Sequence, residues 1–522
     1  MSGMTSTLYR AGHVFSAAVP GATALLVTDD RIAWLGVAAD APPADEVVDL
    51  DGALVTPAFV DAHVHTTDTG LTLAGLDLTA TRSPGEVLDA VAAFARNLPA
   101  SAVVLGHGWD ESTWTEQTPP SAQELDRAAG GRMVYLSQAS IHSALCSASL
   151  LAACAAENAP GYDASGWLRR AAHHVARGIA FGSISAAQRR AAQAETLRTA
   201  ASLGIAAVHE CGGPGTSSET DFTDVLSLGG VLNHNPEVYG YWGELMGAAK
   251  AVELGAVGAG GDLYADGALG ARTAHLREPY LSDDADDTNC GHGYLTDEQV
   301  EEHIVDCVRH GVQGGFHAIG DRALSTVVAG LRAAADVVGL DRLRAARHRI
   351  EHVEIVDKQI IAGLVEFGVV ASMQPAFDRL WGGEAQMYAQ RLGVPRSLAS
   401  NPFGAMHGVG VALAFGSDSP VTPLDPWGSV RAAMRHHNPA YRMNARAAFA
   451  AHTRGGWRAV HRDDEGVLTP GAPATFAAWD APSLTDGLPT LVAASPDEPT
   501  PALPHCRRTV LRGQTIFSSD TI

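Results

Sequence analysis

The chain has 522 residues, too many for one ordinary hydrophobic core, so it folds as two or three domains or as one large α/β barrel with additions. Its 46% hydrophobic and 18% charged residues, without a low-complexity tract, are those of a globular protein. A formal charge of -22 argues against nucleic acid and against an anionic membrane surface, which both require clustered cations.

Only Lys250 and Lys358 are lysines; the other cationic side chains are arginines. The six cysteines, Cys146, Cys154, Cys211, Cys290, Cys307 and Cys506, show no CxxC spacing, so neither a disulfide framework nor a cysteine zinc knot is expected. A reducing cytoplasm is the expected location. No basic segment followed by an apolar stretch opens the chain, and no run of about eighteen apolar residues occurs, so neither export nor membrane spanning is expected.

In chain order, residues 8–54 give short β-type runs separated by GAT, TDD and AADAPPAD turns, and residues 466–517 have the same character. The two β-rich ends, 1–56 and 466–522, are expected to pair into one sandwich. Between them, across 57–465, apolar strand-like runs alternate with helical patterns, which points to parallel strands joined by crossover helices. Residues 70–188 fit the alternation poorly, carrying Pro119-Pro120 and several tryptophans, and are expected to be an insertion after the first barrel strand. The barrel resumes with a helix ending at residue 203 and a strand over 205–210.

Chemistry-bearing residues recur where the strands end, the face that becomes the catalytic mouth of an (α/β) barrel. His63 and His65 close LVTPAFVDAHVH. With 22 histidines in the chain about one such HxH pair arises by chance, but alternate strand residues share a face, so both imidazoles can reach one cation. The other reading is a pair capping a buried strand. His317 ends GGFHAIGD, where an interior hydrogen-bonded role is equally open and Asp321 is expected to N-cap the next helix. His352 ends RHRIEH, with Glu351 as its alternative partner. Asp418 stands among small residues in ALAFGSDSP, where a buried carboxylate requires a cation or the amides of a turn. His63, His65, His317, His352 and Asp418 together offer nitrogen and oxygen ligands suited to zinc or a related divalent ion.

The ordered motifs VTPAFVDAHVH, GHGWDESTW, YADGALGARTAHL, FHAIGDRA, RHRIEHVE, ASMQP and AFGSDSPV resemble the amidohydrolase superfamily, in its family 3 branch, over almost the whole length. The resemblance implies a (β/α)8 TIM-like barrel, a β-sandwich built from both chain ends, and metal-assisted hydrolysis, with the four histidines and Asp418 at metal-site positions. It departs at the fourth strand. Relatives commonly carry a carbamylated lysine there, bridging two metals; this chain reads GGDLYADG, with Asp262 in that place. Asp262 is shorter and replaces the bridge only if its backbone moves closer or a second carboxylate, Glu210, helps.

The expectation is therefore one divalent ion, zinc first, on His63, His65, His317 and Asp418, with His352 orienting substrate; in a two-ion site His317 and His352 hold the second. Asp418 is the expected proton acceptor of a metal-activated water attacking a small-molecule substrate. Similarity to N-substituted formamide deformylases suggests a non-peptide C–N bond, in an amide or N-substituted formamide. A heterocycle deaminase and a non-catalytic metal-binding scaffold are the alternatives. Trp109, Trp114, Trp242 and Trp381 are candidates for a substrate wall, Gln374 for a substrate contact, and Arg272 for a substrate carboxylate unless it pairs with Asp266. Association into a homo-oligomer is left open.

Overall fold

In a computed structural model, residues 5–111, 114–138, 143–282, 288–495 and 498–519 are described. Ser112 and Thr113 of the GHGWDESTW motif lie outside them. The chain divides into two compact units, Met1–His65 with Leu197–Ile522, and Thr66–Thr196.

The first unit contains eight parallel strands, here β1 (Phe59–Val64), β2 (Ile205–Gly212), β3 (Glu237–Trp242), β4 (Gly258–Ala259), β5 (Gln313–Ala318), β6 (Arg349–His352), β7 (Val370–Met373) and β8 (Ala412–Phe415). They pair in sequence order. The ring closes where the Asp418 amide donates to the His63 carbonyl at 2.8 Å and the His65 amide to the Ser419 carbonyl at 2.9 Å. Each of β1, β2, β5, β6 and β7 is buried along its whole length, as parallel strands covered on both faces are, and the polar side chains they carry, Arg349 and Glu351 among them, are buried with them. Helices such as Asp297–His310, Asp321–Val338 and Lys358–Phe367 connect them. The N-cap of Asp321–Val338 is Gly320; Asp321 is its first residue, and its carboxylate accepts the Arg277 amide at 2.9 Å. The expected N-cap role of Asp321 is thus corrected.

Both chain ends build the sandwich. One sheet has Arg31–Gly36, Ala24–Thr28, Ser6–Arg10 and Glu46–Asp49 in that order. The other joins His13–Val14 and Leu54–Pro57 to Phe476–Asp480, His505–Leu511 and Gln514–Ser518. Tyr9, Leu25, Ile32, Val55, Phe476 and Val510 share one core, so residues far apart in sequence pack as one layer pair. Leu54–Pro57 runs almost directly into β1, which ties the sandwich to the strand carrying His63.

The second unit has its own sheet, ordered Trp167–Arg169, Ser143–Cys146, Val134–Gln138, Val104–Trp109 and Leu76–Asp77. Helices Pro84–Arg96, Ala122–Ala128, Ala148–Cys154 and Arg170–Gly182 belong to it.

Candidate metal centre

His63 sits near the end of β1 and His65 just beyond it, His317 near the end of β5, His352 at the end of β6, and Asp418 three residues past β8. The backbone is left-handed at His352 (φ 73°) and Asp418 (φ 56°). Non-glycine residues adopt that region at a cost of about 1–3 kcal/mol, and such strain collects at functional sites.

Each imidazole has one nitrogen fixed by a protein acceptor. His63 Nδ1–H donates to Glu351 Oε2 at 2.9 Å, and His65 Nδ1–H to the Cys211 carbonyl at 3.0 Å. His317 Nε2–H donates to the Gly267 carbonyl at 3.1 Å, and His352 Nδ1–H to Gln374 Oε1 at 2.9 Å. These bonds set the tautomer and leave the other nitrogen as a lone-pair donor, the arrangement by which outer partners orient metal-ligating histidines.

The free nitrogens converge on two carboxylates. His63 Nε2 lies 3.4 Å from Asp418 Oδ1 and 3.6 Å from Asp262 Oδ1. His65 Nε2 lies 3.3 Å from Asp418 Oδ1 and 3.2 Å from Asp262 Oδ2. His317 Nδ1 and His352 Nε2 lie 3.5 and 3.8 Å from Asp262 Oδ1. His63 Nε2, Asp262 Oδ1 and His317 Nδ1 are buried and make no hydrogen bond among the described residues. Buried polar atoms without partners cost about 1–3 kcal/mol each, so three of them facing one another mark a place shaped for a cation.

The electrostatics agree. Burial resists protonation of His63, but Cys211, Asp262 and Asp418 outweigh it and hold the imidazole well above its ordinary value. His65 is raised in the same way, against burial, by hydrogen bonding and charge from Asp262 and Asp418. Burial would raise the Asp262 carboxyl, yet His63, His317 and His352 bring it well below the usual range. Surplus negative charge that attracts protons also attracts a metal. The donors are imidazole nitrogen and carboxylate oxygen, which fits zinc and its neighbours.

A second layer supports the first. Glu351 is held by Arg349 (Nε to Oε1 2.6 Å, Nη2 to Oε2 2.9 Å), and that fully buried guanidinium also donates to the Ala62 carbonyl at 2.6 Å and Ser372 Oγ at 2.9 Å. Arg349 lies 3.0 Å from His209 Nδ1 and over the ring of Tyr241. Asp266 accepts the amides of His275, Ile319 and Gly320 and lies 3.8 Å from His317 Nε2.

Residues 46–517 match the amidohydrolase family. The chain belongs to that family. The putative amidohydrolase YtcJ of Bacillus subtilis is 26% identical over 513 residues, covering 91% of each chain. The N-substituted formamide deformylase of Arthrobacter pascens is 32% identical over 136 residues, 25% of each. The crystal structure of an uncharacterized metal-dependent hydrolase from Pyrococcus furiosus superposes with a TM-score of 0.75 at 23% identity, covering 91% of this chain and 98% of that one. This member of the amidohydrolase family is accordingly a hydrolase with a TIM-like barrel and a sandwich from both chain ends.

Several expected site residues of the amidohydrolase lie elsewhere. Glu210 is on β2 between His209, which meets Arg349, and Cys211, which adjoins His63; alternation turns Glu210 to the other face. None of the ligand groups found among the described residues includes it. Trp109 and Trp114 are sealed in a core of the second unit, with indole N–H groups donating to the carbonyls of Leu136 and Thr81. Trp242 packs on Phe222 and donates to Glu244, leaving no wall for substrate. Trp381 packs at a tilt against Phe377, whose ring lies nearly parallel to His352 at 5.9 Å, so it continues an aromatic row leading from the centre. Arg272 is half-buried without a side-chain partner among the described residues; the alternative pairing with Asp266 does not occur. Gln374 serves His352 directly.

A cavity of about 510 Å³ opens over Asp262, lined by Gly215, Gly243, Tyr264, Asp266, Gly267 and Tyr294 among others. Its size suits a small molecule. Tyr264 hands its hydroxyl hydrogen toward Asp262 Oδ2 at 3.4 Å and packs its ring 4.7 Å from His317. Glu351, Arg349 and Cys211 are the participants that sequence reasoning missed. Arg349 and Glu351 at alternate positions of the short run RIEH were the available signal.

Proposed function

We propose that this chain hydrolyses a non-peptide C–N bond of a small-molecule amide, foremost an N-substituted formamide, in the cytoplasm. The observation that carries the reading is the set of four imidazoles, each tied through one nitrogen and turned through the other toward Asp262 or Asp418. The partial likeness to an N-substituted formamide deformylase supports the choice of bond. His63, His65 and Asp418, with Asp262 beside them, would hold the ion, zinc being the first candidate. When bound, it supplies Lewis acidity to the carbonyl oxygen and to the attacking water.

The chain's own groups do the rest. Asp418 turns Oδ1 to the imidazoles, leaving Oδ2 to take the proton of the attacking water and to return it to the departing nitrogen. Among the described residues the lining of the cavity over Asp262 includes no Lys or Arg, so a neutral substrate enters it without a cationic partner. The test is Asp418→Asn. Turnover is expected to fall by about 10²-fold or more, the range of general acid–base contributions, while most of the metal is retained. Full activity in this variant sinks the assignment. In a substrate panel, formate release supports deformylation and ammonia release moves the reading to a deaminase. Metal binding without turnover of any amide, lactone or amidine favours a scaffold.

A further inference from the structure

The geometry points to a centre of two ions in which the unmodified carboxylate of Asp262 is the bridge. This rests on the metal-centre reading above and replaces the single ion expected from sequence. Two clusters of potential ligands share Asp262: His63 and His65 on one side, His317 and His352 on the other. A tetrahedral ion with ligand bonds of about 2.0–2.1 Å separates its ligand atoms by about 3.3–3.4 Å. On the first side the separations between the two imidazoles and the Asp262 and Asp418 oxygens run from 3.2 to 3.6 Å. On the second, His317 Nδ1 and His352 Nε2 stand 3.5 and 3.8 Å from Asp262 Oδ1. The atoms left without hydrogen bonds fall on both sides, His63 Nε2 on one and His317 Nδ1 on the other, with Asp262 Oδ1 common to them.

An aspartate is several bonds shorter than a carbamylated lysine, so its backbone must lie nearer the ligands. The local sequence allows that. β4 is followed by Gly260 and Gly261, and a Cβ on Gly260 would lie 2.4 Å from the Gly315 nitrogen and 2.5 Å from its Cα. Gly261 takes φ 75°, and its Cβ would meet Cys211 Sγ at 3.1 Å. A Cβ on Gly243 would meet the Asp262 carbonyl carbon at 2.9 Å. Bare backbone from β3, β4 and β5 thus closes in where side chains would hold the strands apart. Downstream, the His317 amide donates to the Leu263 carbonyl and the Ala265 amide to the His317 carbonyl, both at 2.9 Å, which fastens the Asp262 segment to β5. His352 then acts as a ligand of the second ion, not as a direct substrate contact.

The test is a metal count on the full chain, loaded with zinc or manganese, desalted and measured by mass spectrometry, with manganese paramagnetic resonance to detect exchange coupling. Two equivalents and a coupled signal are expected for the wild type. Asp262→Asn, His317→Asn and Gly260→Ala are each expected to bind one equivalent with an uncoupled signal. One equivalent in the wild type overturns the bridge and leaves the metal-centre reading standing, whereas none removes both. Two coupled ions retained in Asp262→Asn also overturn it. If a variant does not fold, the wild-type count and coupling still decide.

Discussion

Glu351 joins two neighbours, and both favour its charged form. Toward His63 it is the acceptor that fixes the ring; toward Arg349 it is the counter-charge of a guanidinium with no exposure. Burial raises the carboxyl, but Arg349 and His63 reverse this and hold Glu351 far below the usual carboxylate range. Removing one member of a buried ion pair leaves the other charge uncompensated, at a cost of about 3–5 kcal/mol. Glu351→Gln keeps the shape and an acceptor for His63 while deleting that charge. The expected outcome is a loss of this size in denaturant unfolding of the metal-free chain, with metal affinity about 10–100-fold weaker in chelator competition. Unchanged affinity would show that His63 does not depend on Glu351 for its placement. Residue identity gave no warning of this role, because Glu351 adjoins His352 in the chain and reads first as its partner.

At the scale of single strands, period-two alternation made part of the site legible and concealed the rest. His63 and His65 share parity on a buried strand, and both do face the carboxylates. On β6 the same rule sends Glu351 inward and His352 outward; the left-handed turn at His352 breaks the alternation and brings both to the centre. On β2, parity decides between Glu210 and Cys211, but which parity faces inward depends on the meeting of His209 with Arg349, a contact 140 residues apart in sequence. Asp262 was visible as a departure, whereas its reach depends on the approach of β4 to β5. The junction of β5 with β6 also carries a titration. Neutral His348 accepts the Gly314 amide through Nδ1 at 2.8 Å, and burial, aided by His303, lowers it to about 3. A histidine depressed on folding stabilises fully above its unfolded value near 6.5 and loses that contribution as pH falls toward 3. The expected loss approaches about 1.4 kcal/mol per pH unit for one proton. His348→Asn retains an acceptor without titrating, so its stability, measured by denaturant unfolding from pH 7 to 4, is expected to fall less steeply. An identical slope in both proteins removes His348 from the acid response.

For the molecule as a whole, the candidate ligands all fall in one of the two units, so a linkage between metal and stability can be tested by place. The second unit, Thr66–Thr196, brackets the 70–188 stretch whose pattern broke the strand–helix alternation. Its C-terminal end was obscured because the helix ending at residue 203 reads as a barrel helix, whereas Ala186–Ser202 runs across the boundary at Leu197. Trp109 and Trp114, which looked like substrate wall, instead give this unit a core, packed with Val87, Val91 and Leu136 around its own sheet. All four imidazoles, Asp262 and Asp418 belong to the first unit, although His65 is its last residue before the second begins. A ligand that binds only the folded state adds RT ln(1 + [L]/Kd), about 4 kcal/mol at a thousandfold excess over Kd. Hydrogen exchange therefore offers a spatial test, since protection follows the unit whose unfolding the ligand opposes. Zinc added to the metal-free chain is expected to slow exchange in β1, β5 and β6 by up to about a thousandfold, this free energy expressed as a ratio. Exchange in Val104–Trp109 and Val134–Gln138 is expected to stay as it was. Equal slowing in both sets of strands would mean that the units unfold together, and slowing confined to the second would place the ion outside the ligand set described above.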